Sequence, residues 1–202
     1  MISSTKWKIK EEEFINKANA VVVVTQESKN EIVNRVGKFE KNIVVVPNTV
    51  HKAYYNKAEI EQKIIEKYKG NFVLLYVGDT GIRRGLQTAI EATSVLKDKI
   101  PTIKLVIVGS NSSDIFLKQQ VEDLNIKKYV DFEGWQNENL FPSYIMASSI
   151  CISPLHRNLH HDTTYANKIF QYMSFAKPLL VSDATSQKNI VEKAQAGLIH
   201  KA

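Results

Sequence analysis

Two patterns of apolar residues alternate along this chain. Short unbroken apolar runs bounded by turn formers predict strands covered on both faces, and apolar residues recurring every three or four positions predict amphipathic helices. The runs place strands over 20–24, 43–46, 72–77, 102–108, 130–132, 150–154, 179–181 and 197–199. Between them the helical spacing predicts helices over 5–18, 26–36, 59–68, 84–97, 113–124, 140–147, 166–175 and 186–194. Trp7, Phe14 and Ile15 are the expected anchors of the first helix, and Leu86, Ile90, Thr93 and Leu96 those of the fourth. Thr25 is placed to cap the second helix, with Ser28 and Glu31 as a capping box. Residues 51–58 and 155–165 read as polar connections. Pro178 ends the seventh helix, because proline has no amide and disfavours helix at the residue before it.

Strands alternating with helices imply right-handed crossovers and a parallel sheet with helices on both faces, an α/β Rossmann-like class. In such sheets ligands bind beyond the carboxyl ends of the strands. The first two strands are set apart by the loosely patterned segment 47–58, which reads as an interdomain link. The last strand has no helix after it, so both ends look cut and the chain reads as a fragment of something longer.

Composition narrows the function only modestly. With 202 residues and 44% hydrophobic content, the chain can bury a full core. The single cysteine, Cys151, lies in an apolar strand, which predicts a buried thiol in a reducing compartment. No run approaches the roughly 20 apolar residues of a membrane span, and no apolar signal core follows Met1. A net charge of +6 suits an anionic ligand or an anionic membrane surface, although scattered surface lysines give the same total.

Two constellations carry chemistry. Tyr76 to Leu86 is a strand, a glycine turn and a helix start, in which Gly78 and Gly81 allow close backbone approach and Arg83 and Arg84 offer planar donor forks for phosphate. The plainer alternative has the glycines merely turning the chain and the arginines solvated. The glycines follow neither the dinucleotide fingerprint nor the Walker spacing. The second constellation is Ser149 to Asp183, where Asn167, Lys168 and Gln171 line the polar side of a helix. Lys168 could reach a phosphate and Gln171 sugar hydroxyls, or Lys168 could be a solvated helix lysine. His156, His160 and His161 invite a metal, but no cysteine or carboxylate spacing supports zinc.

In order along the chain, Gly78-x5-Arg-Gly-Leu-x3-Ile-Glu-Ala, Lys104 to Gly109, Val130 to Trp135, Ser153-Pro154 and Asn167-Lys-Ile-Phe-Gln-Tyr-Met-x4-Pro resemble the family 4 (group 1) glycosyltransferases. The segments Ala20 to Ser28 and Ile43 to Val50 resemble that family's passage from its N-terminal to its C-terminal domain. The resemblance implies a GT-B architecture, with 1–48 as the last N-terminal elements and linker and 49–202 as the nucleotide-sugar donor-binding domain. It implies transfer of a sugar from a nucleotide-diphosphate sugar to an acceptor with retention, no cofactor and no essential metal. Arg84 matches the catalytic basic residue on the diphosphate, where its charge offsets that of the leaving group. Gly109 and Ser110 match the turn flanking the nucleotide, and Gly134 and Trp135 the turn bordering the base.

The family's two motif glutamates fall on Thr163 and Gln171, and its basic residue after the first glycine is Asp79. Gln171 is left to hydrogen-bond the ribose without charge assistance, and Thr163 or the adjacent Asp162 to serve near the donor sugar. By itself this chain is expected not to turn over. A related nucleotide-sugar epimerase and a non-catalytic nucleotide-sugar-binding module are the alternatives. From the family, the full protein is expected in the cytoplasm at the inner face of the membrane, in polysaccharide assembly, with no nucleic-acid partner.

Overall fold

A computed structural model describes residues 4–36, 42–56 and 59–202. Two separate sheets organise it. The smaller pairs β1 (Val21–Val23) with β2 (Ile43–Val45) in parallel. Helices α1 (Ser4–Lys17) and α2 (Gln26–Val36) cover one side, with Ile15, Ile32 and Ile43 at the centre. Ile15 is buried as expected, but Trp7 and Phe14 are each more than half exposed. The α1 apolar residues point two ways, and one face alone meets the strands. Thr25 accepts the Ser28 amide at 2.9 Å, as a cap should. Glu31 instead pairs with Arg35 at 3.2 Å, so the expected Ser28–Glu31 box does not form.

After α3 (Lys52–Asn56) and α4 (Gln62–Tyr68) comes the larger sheet of six parallel strands. These are β3 (Phe72–Val77), β4 (Ile103–Val108), β5 (Val130–Gly134), β6 (Ile150–Ser153), β7 (Leu179–Ser182) and β8 (Gly197–His200). The strand order is β5-β4-β3-β6-β7-β8. The central strands β3 and β4 carry two buried faces, because side chains alternate across the pleat, whereas the edge strand β8 leaves Leu198 exposed. On β3, Val73, Leu75 and Val77 point into one core with Tyr144, Ile169, Tyr172 and Val191. Leu74 and Tyr76 point into the opposite core, against Leu86 and Ile90 of α5 (Leu86–Leu96) and Leu117 and Val121 of α6 (Asp114–Asp123). The first core is covered by α4, α7 (Phe141–Ala147), α9 (Lys168–Ser174) and α10 (Thr185–Ala194). Cys151 is fully buried there, and burial pushes its thiol up to about 12 despite the Ser148 hydroxyl beside it.

Two expected loops contain helices. α3 lies inside the 51–58 connection, and α8 (Leu159–Thr163) inside 155–165. Each is only one turn and a fraction long, too short for apolar periodicity to register. α8 is set by Asn158, whose side chain accepts the His161 amide at 2.9 Å. The helix expected over 84–97 is broken by Gly85, so Arg83 and Arg84 lie in a 3-10 turn (Ile82–Arg84) that precedes α5.

The small unit is tied to the large one through α8. Thr25 and Ser28 both donate their hydroxyls to the Thr163 carbonyl, Ser28 at 2.9 Å. Tyr165 donates to the Val24 carbonyl at 2.9 Å, and Asn189 to Glu27 at 2.6 Å. Among the described residues no helix is long and apolar enough to cross a membrane.

Candidate functional site

The chain runs outward from β3 through β4 to β5 and then returns to the other side of β3 with β6, β7 and β8. The switch point is therefore the β3/β6 boundary, and the loops leaving these two strands part there to leave a crevice. Both sequence constellations arrive at it. One is the β3–α5 loop, 78–85, and the other is the β6–α9 segment, 154–167.

A main-chain rim forms the floor. Gly78 donates its amide to the Val108 carbonyl at 2.8 Å, and Gly109 donates to the Gly134 carbonyl at 2.7 Å, extending the ladder past the strand ends. The turns of β3 and β4 touch so closely that a Cβ on Gly109 would lie 1.9 Å from the Gly78 carbonyl oxygen. Ser110 and Trp135 are exposed beside this rim, with Trp135 75% accessible.

The two loops are stitched together. His156 donates its amide to the Arg83 carbonyl at 3.2 Å. Gly85 takes a left-handed conformation at φ +73, and a Cβ there would lie 1.7 Å from the Pro154 carbonyl oxygen. This contact turns the chain sharply enough to hold Arg84 over the crevice while Arg83 faces solvent.

Arg84 does not stand free. Its Nε lies 3.1 Å from an Asp79 carboxylate oxygen, and Asp79 also accepts from the Asn111 side chain at 2.7 Å and the Gly81 amide at 3.3 Å. Burial alone would raise the Asp79 carboxyl, but bonds from Arg84 and Asn111 and the Arg84 charge hold it below the usual carboxylate range. Asp79 thus occupies the donors that a bound anion would need.

Lys168 starts α9 but is not on a solvated face. It is 7% exposed and runs beneath the Gly78 turn. Its Nζ sits 3.5 Å from the centre of the Tyr76 ring and would lie 3.3 Å from a Cβ at Gly78. Among the described residues no hydrogen-bond acceptor reaches it. Burial, with Arg84 nearby, holds its amine well below the usual lysine range, and Asp79 only partly opposes this. Asn167 is exposed and Gln171 half-buried on the same helix.

His161 is 1% exposed, and its Nδ1 lies 2.7 Å from the His156 carbonyl. That contact makes Nδ1 the donor and leaves Nε2 an unpartnered buried acceptor. Burial depresses its pKa, and Arg84, His160 and Arg83 lower it further against the bond to His156. The sequence alone suggests His161 only as a metal ligand. Its pairing with Asn158 and the short α8 could not be seen in the spacing.

The remaining residues lie to one side. Asp162 accepts from the Thr185 amide at 2.9 Å and hydroxyl at 3.1 Å, and pairs with Arg157 at 3.1 Å. Burial would raise this carboxyl, but those bonds hold it below the usual range. It therefore caps α10. Thr163 donates its hydroxyl to the Leu159 carbonyl at 2.7 Å, inside its own helix, and faces a 300 Å³ cleft against α1 and α2. Arg84, Asp79 and Lys168 thus converge with the Gly78 and Gly109 turns, whereas Asp162 and Thr163 are engaged elsewhere. Among the described residues, no three of histidine, cysteine, aspartate and glutamate gather to hold a metal ion.

The family described as "Glycosyl transferases group 1" matches residues 57–202. A relative in Methanocaldococcus jannaschii, named an uncharacterized glycosyltransferase, MJ1059, is 24% identical over 173 residues, covering 84% of this chain and 41% of its own. Among solved structures, Anabaena Alr3699/HepE in complex with UDP-glucose superposes with a TM-score of 0.81 at 19% identity, over 99% of this chain and 54% of that one. WaaG, described as a glycosyltransferase involved in lipopolysaccharide biosynthesis, superposes at 0.74 and 16% identity, over 89% and 48%. The chain thus spans about half the length of the proteins it resembles, and what it shares with the solved structures is the fold.

Proposed function

This chain belongs to the group 1 glycosyl transferases, and on that premise we propose that it is the donor-binding part of a GT-B enzyme of the family 4 kind. The crevice at the β3/β6 switch point takes the nucleotide-diphosphate sugar. Its phosphates lie against the Gly78 turn between Arg84 and Lys168, and its base lies toward Gly134 and Trp135. The observation that carries this reading is the convergence of two basic side chains, Arg84 from the β3–α5 loop and Lys168 from the start of α9, on one glycine turn at a topological switch point. A diphosphate leaving group accumulates negative charge as the bond to the sugar breaks, and preorganised cations lower the barrier by stabilising it. Arg84 supplies a planar fork for that purpose once Asp79 releases it, so the chemistry needs no metal. Gln171 reaches for the ribose hydroxyls. The acceptor enters from the side of α1 and α2. Transfer with retention, in envelope polysaccharide assembly at the inner face of the membrane, completes the proposal, and the presence of WaaG among the neighbours supports that setting.

A second reading, a nucleotide-sugar-binding module without transfer, draws on the engagement of Asp162 and Thr163 in structural bonds. Thermal melts with UDP, GDP and their sugar esters test the binding shared by both readings, since a ligand specific to the folded state raises the melting point. Arg84→Ala should abolish the shift while leaving the unliganded melting point nearly unchanged. If no nucleotide shifts the melting point, the site assignment is wrong. Transfer from the bound sugar ester by the full-length protein, measured with and without a chelator, separates the two readings. NMR of the product's anomeric proton reports retention.

A further inference from the structure

Lys168 Nζ is a buried amine with no acceptor among the described residues, directly beneath the Gly78 turn. Gly78 contributes to this placement, because any side chain at that position would meet the amine at 3.3 Å. The groups facing it are the Tyr76 ring from β3 and Arg84 and Asp79 from the β3–α5 loop. The ring face is attractive to a cation but accepts weakly. Asp79 attracts it too, but its oxygens are already taken by Arg84, Asn111 and Gly81. Arg84 repels it. An ammonium here would have three N–H groups and no oxygen to receive them, so the empty site favours the neutral amine.

A diphosphate changes each of these terms. Its oxygens accept from Nζ, and its negative charge outweighs the repulsion from Arg84. Resting on the nucleotide-diphosphate reading above, we propose that Lys168 holds a phosphoryl oxygen and that filling the site draws a proton from solvent onto its Nζ. The proton comes from water or from the conjugate acid of the buffer and bonds to the lone pair on Nζ. The protein–ligand complex gains one positive charge and the buffer loses one proton. Lys168 is then a cation only when there is an anion to hold. Affinity follows pH through the lysine rather than through the ligand.

Calorimetry of the 202-residue chain with UDP tests this at about pH 8.5, where the ligand is fully ionised and an ordinary lysine is still charged. Tris and bicine have different heats of ionisation, so the difference in apparent binding heat counts the protons exchanged. The expected count is ~0.5–1 proton taken up per UDP. UMP, whose phosphate is also fully ionised at this pH, should give the same sign, and uridine, which has no phosphates, should give none. Lys168→Met should bind UDP at least tenfold more weakly with no buffer dependence. Its melting point should rise, because a desolvated amine has become a thioether of similar length. UDP binding with equal heats in the two buffers overturns the proton uptake and leaves the nucleotide reading standing. Unchanged UDP affinity in Lys168→Met overturns the contact. Absence of any UDP or GDP binding overturns the nucleotide reading and this inference with it. The buffer pair needs only the unsubstituted chain, so the test survives a variant that fails to fold.

Discussion

Gly85→Ala tests the stitch between the two halves of the crevice. Two costs attach to it. An alanine must adopt φ +73, which costs about 1–2 kcal/mol for an L residue. Its Cβ must also gain about 1.7 Å from the Pro154 oxygen to reach an ordinary 3.4 Å contact from 1.7 Å. Backbone lies on both sides of this contact, so no flexible side chain can absorb the shift. Overpacking of this kind costs about 1–3 kcal/mol more. Gly134→Ala is the matched control: it has φ +66, and nothing lies within 4 Å of its Cβ. It carries the backbone cost alone. For a chain of this length about 1 kcal/mol corresponds to roughly 2–4 °C in melting temperature. Gly134→Ala should therefore lose about 2–8 °C, and Gly85→Ala should lose about 2–12 °C beyond that. Gly85→Ala should also lose its thermal response to UDP, because Arg84 moves with the turn. Differential scanning calorimetry of both variants side by side decides the matter. Melting points within 2 °C of each other would refute the claim that close approach, rather than backbone conformation, dictates this glycine.

Tyr172→Phe removes the hydroxyl that accepts the Val77 amide at 2.8 Å inside the core, leaving that amide buried and unpaired. The expected loss is about 1–3 kcal/mol by urea unfolding with an unchanged m-value, and a loss below about 0.5 kcal/mol would mean that the amide finds another acceptor. Glu133 gathers Lys67, Tyr68 and Tyr144, and although burial opposes it, these bonds hold its carboxyl below the usual range. Its stabilisation is therefore present above the unfolded carboxylate pKa of about 4.3 and lost as pH falls through the lower folded value. Glu133→Gln should melt lower at neutral pH, and the gap should close on acidification. A gap that is constant with pH would show that the charge is irrelevant.

The centre of the six-stranded sheet was legible because β3 and β4 are buried on both faces. β3 was found to the residue over 72–77, and β4 within one residue. A continuous apolar run needs no partner to be recognised. α3 and α8 were missed because five residues hold too little periodicity, and α8 depends on an Asn158 side-chain bond that pattern does not encode. Gly85 was read as part of a helix because Arg84 to Lys97 looks amphipathic, and only its nearness to Pro154 reveals the break. At the crevice, Arg84 was identifiable from its place after a glycine turn. The burial of Lys168 was not, since a lysine beside asparagine at a helix start ordinarily faces water. It is drawn inward by the space above Tyr76 that Gly78 leaves open, a relation between residues about ninety positions apart. Asp162 followed sequence logic toward the sugar, yet the nearer demand was the free amides of α10.

The crevice floor is drawn in peptide groups: at the strand ends the Gly78 amide meets the Val108 carbonyl and the Gly109 amide meets the Gly134 carbonyl. Such a surface has almost no vocabulary for mutation to edit. A fold can keep its course while most side chains differ, as the superposition of 0.81 at 19% identity illustrates. Change in what the platform accepts must then come from its overhanging fringe, from positions such as Ser110, Asn111 and Trp135. Those are the places to randomise first in testing what the crevice accepts.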